Sequence, residues 1–286
     1  MRITLAHAMG TCFGVERAIE MAMRPEFVGR LTIIGQLVHN PQVIERLREH
    51  GVRIITWDEV DSISTEAVMI TAHGAPDDRI ESLRQRGLMV HDASCPLVQR
   101  LHATARQLED EGYFPVIVGQ RDHVEVQGVI GNLRDCAVVA GPDDLAQVCG
   151  HSRIGVVSQT TNRIEPVTAV VAAIGALPGV REVRFIDTIC KPVKDRQAAI
   201  AALLSHDIDV GVVIGGRNSS NTRKLFDMIS GQGIDCHHVE RAEELSRAWF
   251  VGKRHVGLTA GTSTPQDVIA AVHRRLLAIA EELDEG

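Results

Sequence analysis

Three apolar runs of this chain end in glycine and pass into a polar loop: IIGQLVHN (33–40), VIVGQRDH (116–123) and VVIGGRNSSN (212–221). Their glycines, at 35, 119 and 215, lie 84 and 96 residues apart. Roughly 40–50 residues after each glycine comes a second run with a small polar tip: MITAHGAP (69–76), GVVSQTTN (155–162) and GLTAGTSTP (257–265). A third run then ends in cysteine, VHDASCP (90–96) and RFIDTICKP (184–192). The last set lacks one, and the N-terminus supplies it: ITLAHAMGTCFG (3–14). Cys12, Cys95 and Cys190 are 83 and 95 residues apart, so two independent markers share one period. The pattern reads as a threefold repeat closed on itself, with the N-terminal strand completing the last unit.

Each unit alternates strand and helix patterns. RLTIIG (30–35), AVMITA (67–72), PVIVG (115–119), RIGVVS (153–158), EVRFID (182–187), DVGVVIG (209–215) and HVGLTA (255–260) are near-continuous apolar runs, as expected of strands buried on both faces of a parallel sheet. Segments such as PQVIERLREHG and TRKLFDMISGQG between them carry apolar residues at three- and four-residue steps, with glycine after the last turn. The expected class is α/β, with mostly parallel sheets. The domains are expected at 13–95, 96–187 and 188–275, the third completed by residues 1–12, with 276–286 as the end of a C-terminal helix.

The chain has 286 residues and is 44% apolar, enough to bury several cores. Its net charge of −7, without a basic block, argues against nucleic acid or an anionic membrane surface as partner. No apolar run approaches a membrane span. MRITLAHAMG reads as a strand rather than a signal peptide, so a cytoplasmic protein with reduced cysteines is expected.

Cys12, Cys95 and Cys190 each precede a helical pattern. A helix N-terminus favours thiolate, and ligands of parallel α/β units gather at the carboxyl ends of strands. Three thiolates around one axis suit zinc with a histidine, or a cubane iron–sulfur cluster with one iron open to substrate. Three buried structural cysteines are the plain alternative. His39, His73 and His123 offer imidazoles; Ser219, Ser220, Asn221 and Ser263 offer hydroxyls and an amide, and GGRNSSN can form an anion-binding concavity before a helix. Glu125 could protonate a leaving hydroxyl. Cys136, Cys149 and the CHHVE stretch (236–240) read as structural.

The ordered set CFGVERAI, LVHN, TAHG, DASCPLV, HVEVQG, SQTT, DTIC…RQ, NSSN and TAGTS resembles the LytB/IspH family from about residue 3 to 275. The resemblance implies a pseudo-threefold trefoil of three α/β domains around a central [4Fe–4S] cluster with three protein ligands, Cys12, Cys95 and Cys190. It implies reductive dehydration of 4-hydroxy-3-methylbut-2-enyl diphosphate to isopentenyl and dimethylallyl diphosphate, in the methylerythritol phosphate route to isoprenoids. A ferredoxin- or flavodoxin-type donor would supply electrons. By the family's pattern His39, His73, Ser219, Asn221 and Ser263 hold the diphosphate, with His123 and Ser220 beside it. Glu125 delivers protons, and Thr160 orients the substrate hydroxyl. Departures gather near the cysteines: HAMGTCFG where the family reads NPRGFCAG, His123-Val124-Glu125 where it reads H-P-E, Lys191-Pro192-Val193 after Cys190, and Thr262 where alanine is common. The anion end is kept and the cluster surroundings differ. This leaves as alternatives a paralogue reducing another substrate at the same type of site, or a non-catalytic cluster carrier.

Overall fold

The computed structural model describes residues 1–284. Its first third contains β1 (Arg2–Leu5), α1 (Phe13–Ala22), β2 (Leu31–Ile34), α2 (Pro41–Glu49), β3 (Arg53–Ile55), β4 (Ala67–Ile70), α3 (Asp77–Gln85) and β5 (Met89–Asp92). The second contains α4 (Pro96–Asp110), β6 (Phe114–Val118), α5 (Val124–Ile130), β7 (Ala137–Val139), β8 (Arg153–Ser158), α6 (Ile164–Gly175) and β9 (Glu182–Phe185). The last contains α7 (Lys191–Leu204), β10 (Val210–Ile214), α8 (Ser220–Ser230), β11 (Asp235–Val239), β12 (His255–Ala260) and α9 (Gln266–Asp284). Glu285 and Gly286, the end of the expected C-terminal tail, lie outside the described residues.

The strands form three four-stranded sheets with every pairing parallel: β3-β2-β4-β5, β7-β6-β8-β9 and β11-β10-β12-β1. Read in this direction, all three have the same order. The strand leading to a cysteine is always the outer neighbour of the strand with the polar tip, and β1 takes that place beside β12, register Arg2↔His255 to Leu5↔Leu258. Chain contacts divide the protein into two units. One comprises Met1–Val15, His39–Glu45 and the chain from Lys191 onward; the other comprises Glu16–Val38 and Arg46–Cys190.

The first unit holds the sheet containing β1. Residues of β10 alternate between its faces. Val212 and Ile214 pack with Val272 and Leu276 of α9, whereas Val213 packs with Ile200 of α7 and Leu225 and Ile229 of α8. The second unit holds the other two sheets. Ile34, Val68 and Ile70 pack on Ile80 and Leu83 of α3. Ile117 and Val157 pack on Leu101, Ala105 and Leu108 of α4 and Val126 and Val129 of α5.

The apolar-run expectation holds for the central strands β2, β4, β6, β8, β10 and β12, which are almost wholly buried. EVRFID departs from it. Its strand β9 pairs on one side only, with Glu182 and Arg184 exposed, and β1 and β5 are likewise half-covered edges. The fourth strands β3 and β7 are only three residues long, too short for a periodic signal.

Candidate active site

The loops that carry the cysteines repeat at atomic detail. Cys12, Cys95 and Cys190 are each the residue before a helix: α1, α4 and α7. Each backbone N–H donates to the carbonyl two residues past the end of the neighbouring tip strand: Cys12 to Thr262 (3.0 Å), Cys95 to Ala72 (3.0 Å) and Cys190 to Thr160 (3.0 Å). The first-strand glycines repeat as well. The N–H of Gly35, Gly119 and Gly215 donates to the last carbonyl of the adjoining edge strand, Ile55, Val139 and Val239. Before two of the cysteines an aspartate closes an Asx turn: Asp92 Oδ1 accepts from Ser94 N–H (2.8 Å) and Asp187 Oδ1 from Ile189 N–H (3.0 Å). No described cysteine is in a disulfide, and the three loop cysteines are partly accessible. Three thiols in one local geometry, each at a helix N-terminus, are a donor set that fits thiolate ligation. Among the described residues no three His, Cys, Asp or Glu side chains gather as ligands of a single ion.

Within the first unit the predicted anion ligands lie on three loops, before α2, α8 and α9. Asn40 caps α2, its Oδ1 accepting from Val43 N–H (3.1 Å). That cap fixes His39, whose carbonyl accepts from Ser263 Oγ (3.1 Å). Burial first, and Arg223 second, push the His39 imidazole below its usual range, so at neutral pH it is uncharged. Ser219 caps α8, its hydroxyl accepting from Thr222 N–H (3.3 Å), and Ser220 and Asn221 follow in the first turn. Ser219, Ser220, Asn221 and Ser263 are all buried. Neither Oδ1 nor Nδ2 of Asn221 meets a protein partner, although the residue is 2% exposed. Buried amides are nearly always satisfied, so this one is placed to meet a group the chain does not supply. Gly216 is needed because a Cβ there would stand 2.5 Å from the His39 carbonyl oxygen.

Within the second unit the chemistry centres on Glu125 and Thr160. Both are buried, at 2% and 4% exposure. The Glu125 carboxylate accepts Thr160 N–H at Oε1 (2.7 Å) and Thr160 Oγ–H at Oε2 (2.7 Å). The Thr160 carbonyl in turn accepts from Cys190 N–H. One residue therefore ties the acid to the third cysteine loop. His123 caps α5, its Nδ1 accepting from Glu125 N–H (3.2 Å), and its ring meets that of His73 edge-on at 5.9 Å. Each unit thus gathers its own share of the predicted residues: Cys12, His39, Ser219, Ser220, Asn221 and Ser263 in one, His73, Cys95, His123, Glu125, Thr160 and Cys190 in the other.

Several residues that build these loops escape sequence reading. Asp92 and Asp187 had a usable signal, D-x-x-C twice, whereas Asn40 and Gly216 act through backbone contacts that only the fold reveals. Some of the unusual residues near the cysteines are exposed: Phe13 is 50% exposed, Val124 47%, and Lys191 pairs with Asp195 at 2.8 Å on the surface, whereas Val193 is buried and Ala8 and Met9 pack partly on the core. The hydrogen bond from Cys12 uses the backbone of Thr262, so its side chain is free to vary.

A sequence model of the LytB protein family matches residues 3–277. The 4-hydroxy-3-methylbut-2-enyl diphosphate reductase of Aquifex aeolicus is 40% identical over 285 residues, 98% of this chain and 97% of that protein. That of Geotalea daltonii is 37% identical, over 99% of both. A solved structure of (E)-4-hydroxy-3-methyl-but-2-enyl diphosphate reductase, the terminal enzyme of the non-mevalonate pathway, is 37% identical and covers 97% of this chain and 100% of its own, with a TM-score of 0.70. The fold is shared also with the Plasmodium falciparum reductase structure, 24% identical over 96% of this chain and 87% of that one, TM-score 0.88. The chain belongs to the LytB protein family.

Proposed function

We propose that the chain reductively dehydrates 4-hydroxy-3-methylbut-2-enyl diphosphate to isopentenyl and dimethylallyl diphosphate, with a [4Fe–4S] cluster held by Cys12, Cys95 and Cys190. The carrying observation is the buried Glu125–Thr160 pair anchored to the Cys190 loop. A cluster carrier without chemistry has no use for a buried carboxylate aligned on a hydroxyl. The full-length likeness to named reductases supports the same reading.

When bound, the cluster supplies electrons and one iron open to the substrate hydroxyl. The chain's own residues do the rest. Ser219, Asn221, Ser263 and neutral His39 hold the diphosphate, joined by His73, with His123 and Ser220 beside it. Neutral donors suit this anion, because each N–H or O–H meets phosphoryl oxygen at fixed distance without a competing counter-ion. The Thr160 hydroxyl, its proton committed to Glu125 Oε2, presents lone pairs that orient the substrate hydroxyl. Glu125 holds the proton that the departing oxygen takes as C–O breaks, and a second proton completes the product.

The modules follow as 13–95, 96–187 and 188–275 with residues 1–12. The electrons come from a ferredoxin- or flavodoxin-type donor, in the cytoplasm. No helix among the described residues is long and apolar enough to cross a membrane. The test is anaerobic assay of the reconstituted protein with the hydroxymethylbutenyl diphosphate and a strong one-electron donor, reading products by mass spectrometry. Both pentenyl diphosphates are expected. An intact cluster spectrum without either product would overturn this reading in favour of a paralogue with another substrate or a non-catalytic cluster carrier.

A further inference from the structure

The peptide plane in front of Cys12 is held at both ends. Its N–H, on Cys12, donates to Thr262 O at 3.0 Å. Its carbonyl, on Thr11, accepts from Arg196 Nη2 at 3.3 Å, and the same nitrogen donates to the carbonyl of Gly10. Arg196 lies in α7, six residues after Cys190, and its Nη1 donates to Pro192 O in the first turn of that helix (2.8 Å). Arg196 is 6% exposed. A buried cation is costly unless it is hydrogen-bonded, and these carbonyl acceptors offset part of that cost.

The other cysteine loops explain why this clamp is needed. Before Cys95 and Cys190 an aspartate pins the turn, Asp92 and Asp187. The equivalent position before Cys12 is Met9, which has no acceptor to offer. Gly10 follows with φ of +84°, a left-handed turn that glycine adopts without steric cost. The Cys95 loop carries a parallel of the clamp: Arg17 of α1 donates from Nη1 to Ser94 O at 3.1 Å, while Cys95 N–H donates to Ala72 O. Arg17 is exposed, and that loop already has its aspartate, so the Arg196 contact is the one on which its loop depends.

We propose that Arg196 is a positioning residue that fixes the Thr11–Cys12 peptide, and with it the direction of the Cys12 thiolate, and places a positive charge beside that ligand. This rests on the reading of Cys12 as a cluster ligand. It predicts two separable effects, one of geometry and one of charge. Arg196→Met removes both. Arg196→Lys keeps the charge and loses the two-carbonyl span.

The experiment compares wild type, Arg196→Met, Arg196→Lys, Cys12→Ser and the exposed Arg100→Met, after anaerobic reconstitution and with folding checked by circular dichroism. Arg100 stands five residues after Cys95 but on the surface. Iron release to a chelator should be about 10–100-fold faster in both Arg196 variants, the usual scale for losing a group that orients a metal ligand. It should match wild type in Arg100→Met. The midpoint potential should fall in Arg196→Met and hold in Arg196→Lys, because a nearby cation favours the reduced cluster. Amide exchange in the peptide spanning residues 10–13 of the apoprotein should quicken in both variants, a readout that needs no cluster. Wild-type release, potential and exchange in Arg196→Met would overturn the proposal. Full iron retention in Cys12→Ser would remove its basis by showing that Cys12 is not a ligand.

Discussion

At the residue scale, the site depends on hydrogen bonds between buried polar groups. Glu125 is buried and its carboxylate takes two short hydrogen bonds from a single residue. Thr160→Val should leave Oε2 facing a methyl group. The cost of a buried acceptor left unmade is about 1–3 kcal/mol, seen as a drop in melting temperature that Thr160→Ser should not show. Glu125→Gln should keep the loop folded but place an NH2 against one of the two donors and remove the acid. Turnover should fall by about 10²–10⁴-fold, the range for losing a general acid, with iron content unchanged. Equal turnover in Glu125→Gln and wild type would take Glu125 out of the proton path. At this scale the sequence was most legible where chemistry and backbone role coincide. Cysteine before a helix, serine as a cap and glycine after a strand announce themselves. Arg196, Asn40 and Gly216 do not, because their partners are main-chain carbonyls and N–H groups brought near by packing.

At the element scale, helices are set down to hold loops as much as to cover sheets. His102 of α4 lies beneath the loop of His73 and Gly74. Its Nδ1 is 3.1 Å from Asn132 Nδ2, and Asn132 Oδ1 accepts from Asp77 N–H at the start of α3 (2.7 Å). With the amide oxygen committed to a backbone N–H, its NH2 must donate to Nδ1, so the ring is neutral and carries its proton on Nε2. Burial drives the His102 pKa down to about 4, with Asp77 opposing and Arg106 assisting. Unfolding exposes an imidazole that binds a proton below about 6.5. Between these values the unfolded chain binds more protons, so the contribution of His102 is whole above pH 6.5 and lost as pH falls toward 4. The gap corresponds to about 3 kcal/mol. Thermal melts between pH 7 and 4.5 should show a smaller loss for His102→Gln than for wild type; identical slopes would mean that His102 is not a buried neutral group. Elements read well from sequence where they were central. β2, β4, β6, β8, β10 and β12 are apolar throughout, three-residue β3 and β7 carry no run to find, and the edges β5 and β9, though found through the cysteines that follow them, are only half covered.

At the scale of the whole molecule, the chain order and the repeat order differ by one strand. β1 belongs to the sheet built by β10, β11 and β12, so that sheet is complete only when the first residues of the chain meet the last third. Met1 and the last turn of α9 are neighbours as a result: the N-terminal ammonium lies 3.4 Å from the Asp284 carboxylate. A permutant that joins Asp284 to Met1 through a short glycine–serine linker should therefore cost little, since the linker closes a gap the fold has already closed. Opening it between Pro142 and Asp143, in the exposed turn after β7, leaves every strand in sequence with its cysteine loop. β1 would then follow α9 directly, and the sheet shared between the two ends of the chain would become that of β6, β7, β8 and β9, split between β7 and β8. The expected outcome is a folded protein with wild-type circular dichroism and wild-type iron content after reconstitution. Deleting residues 1–5 is the opposing case. It strips the partner from one side of β12 and unties the segment leading to Cys12, and iron content should collapse even if the rest of the chain folds. A permutant that misfolds while the deletion keeps its iron would mean that β1 is an accessory strand and not the closing member of the repeat.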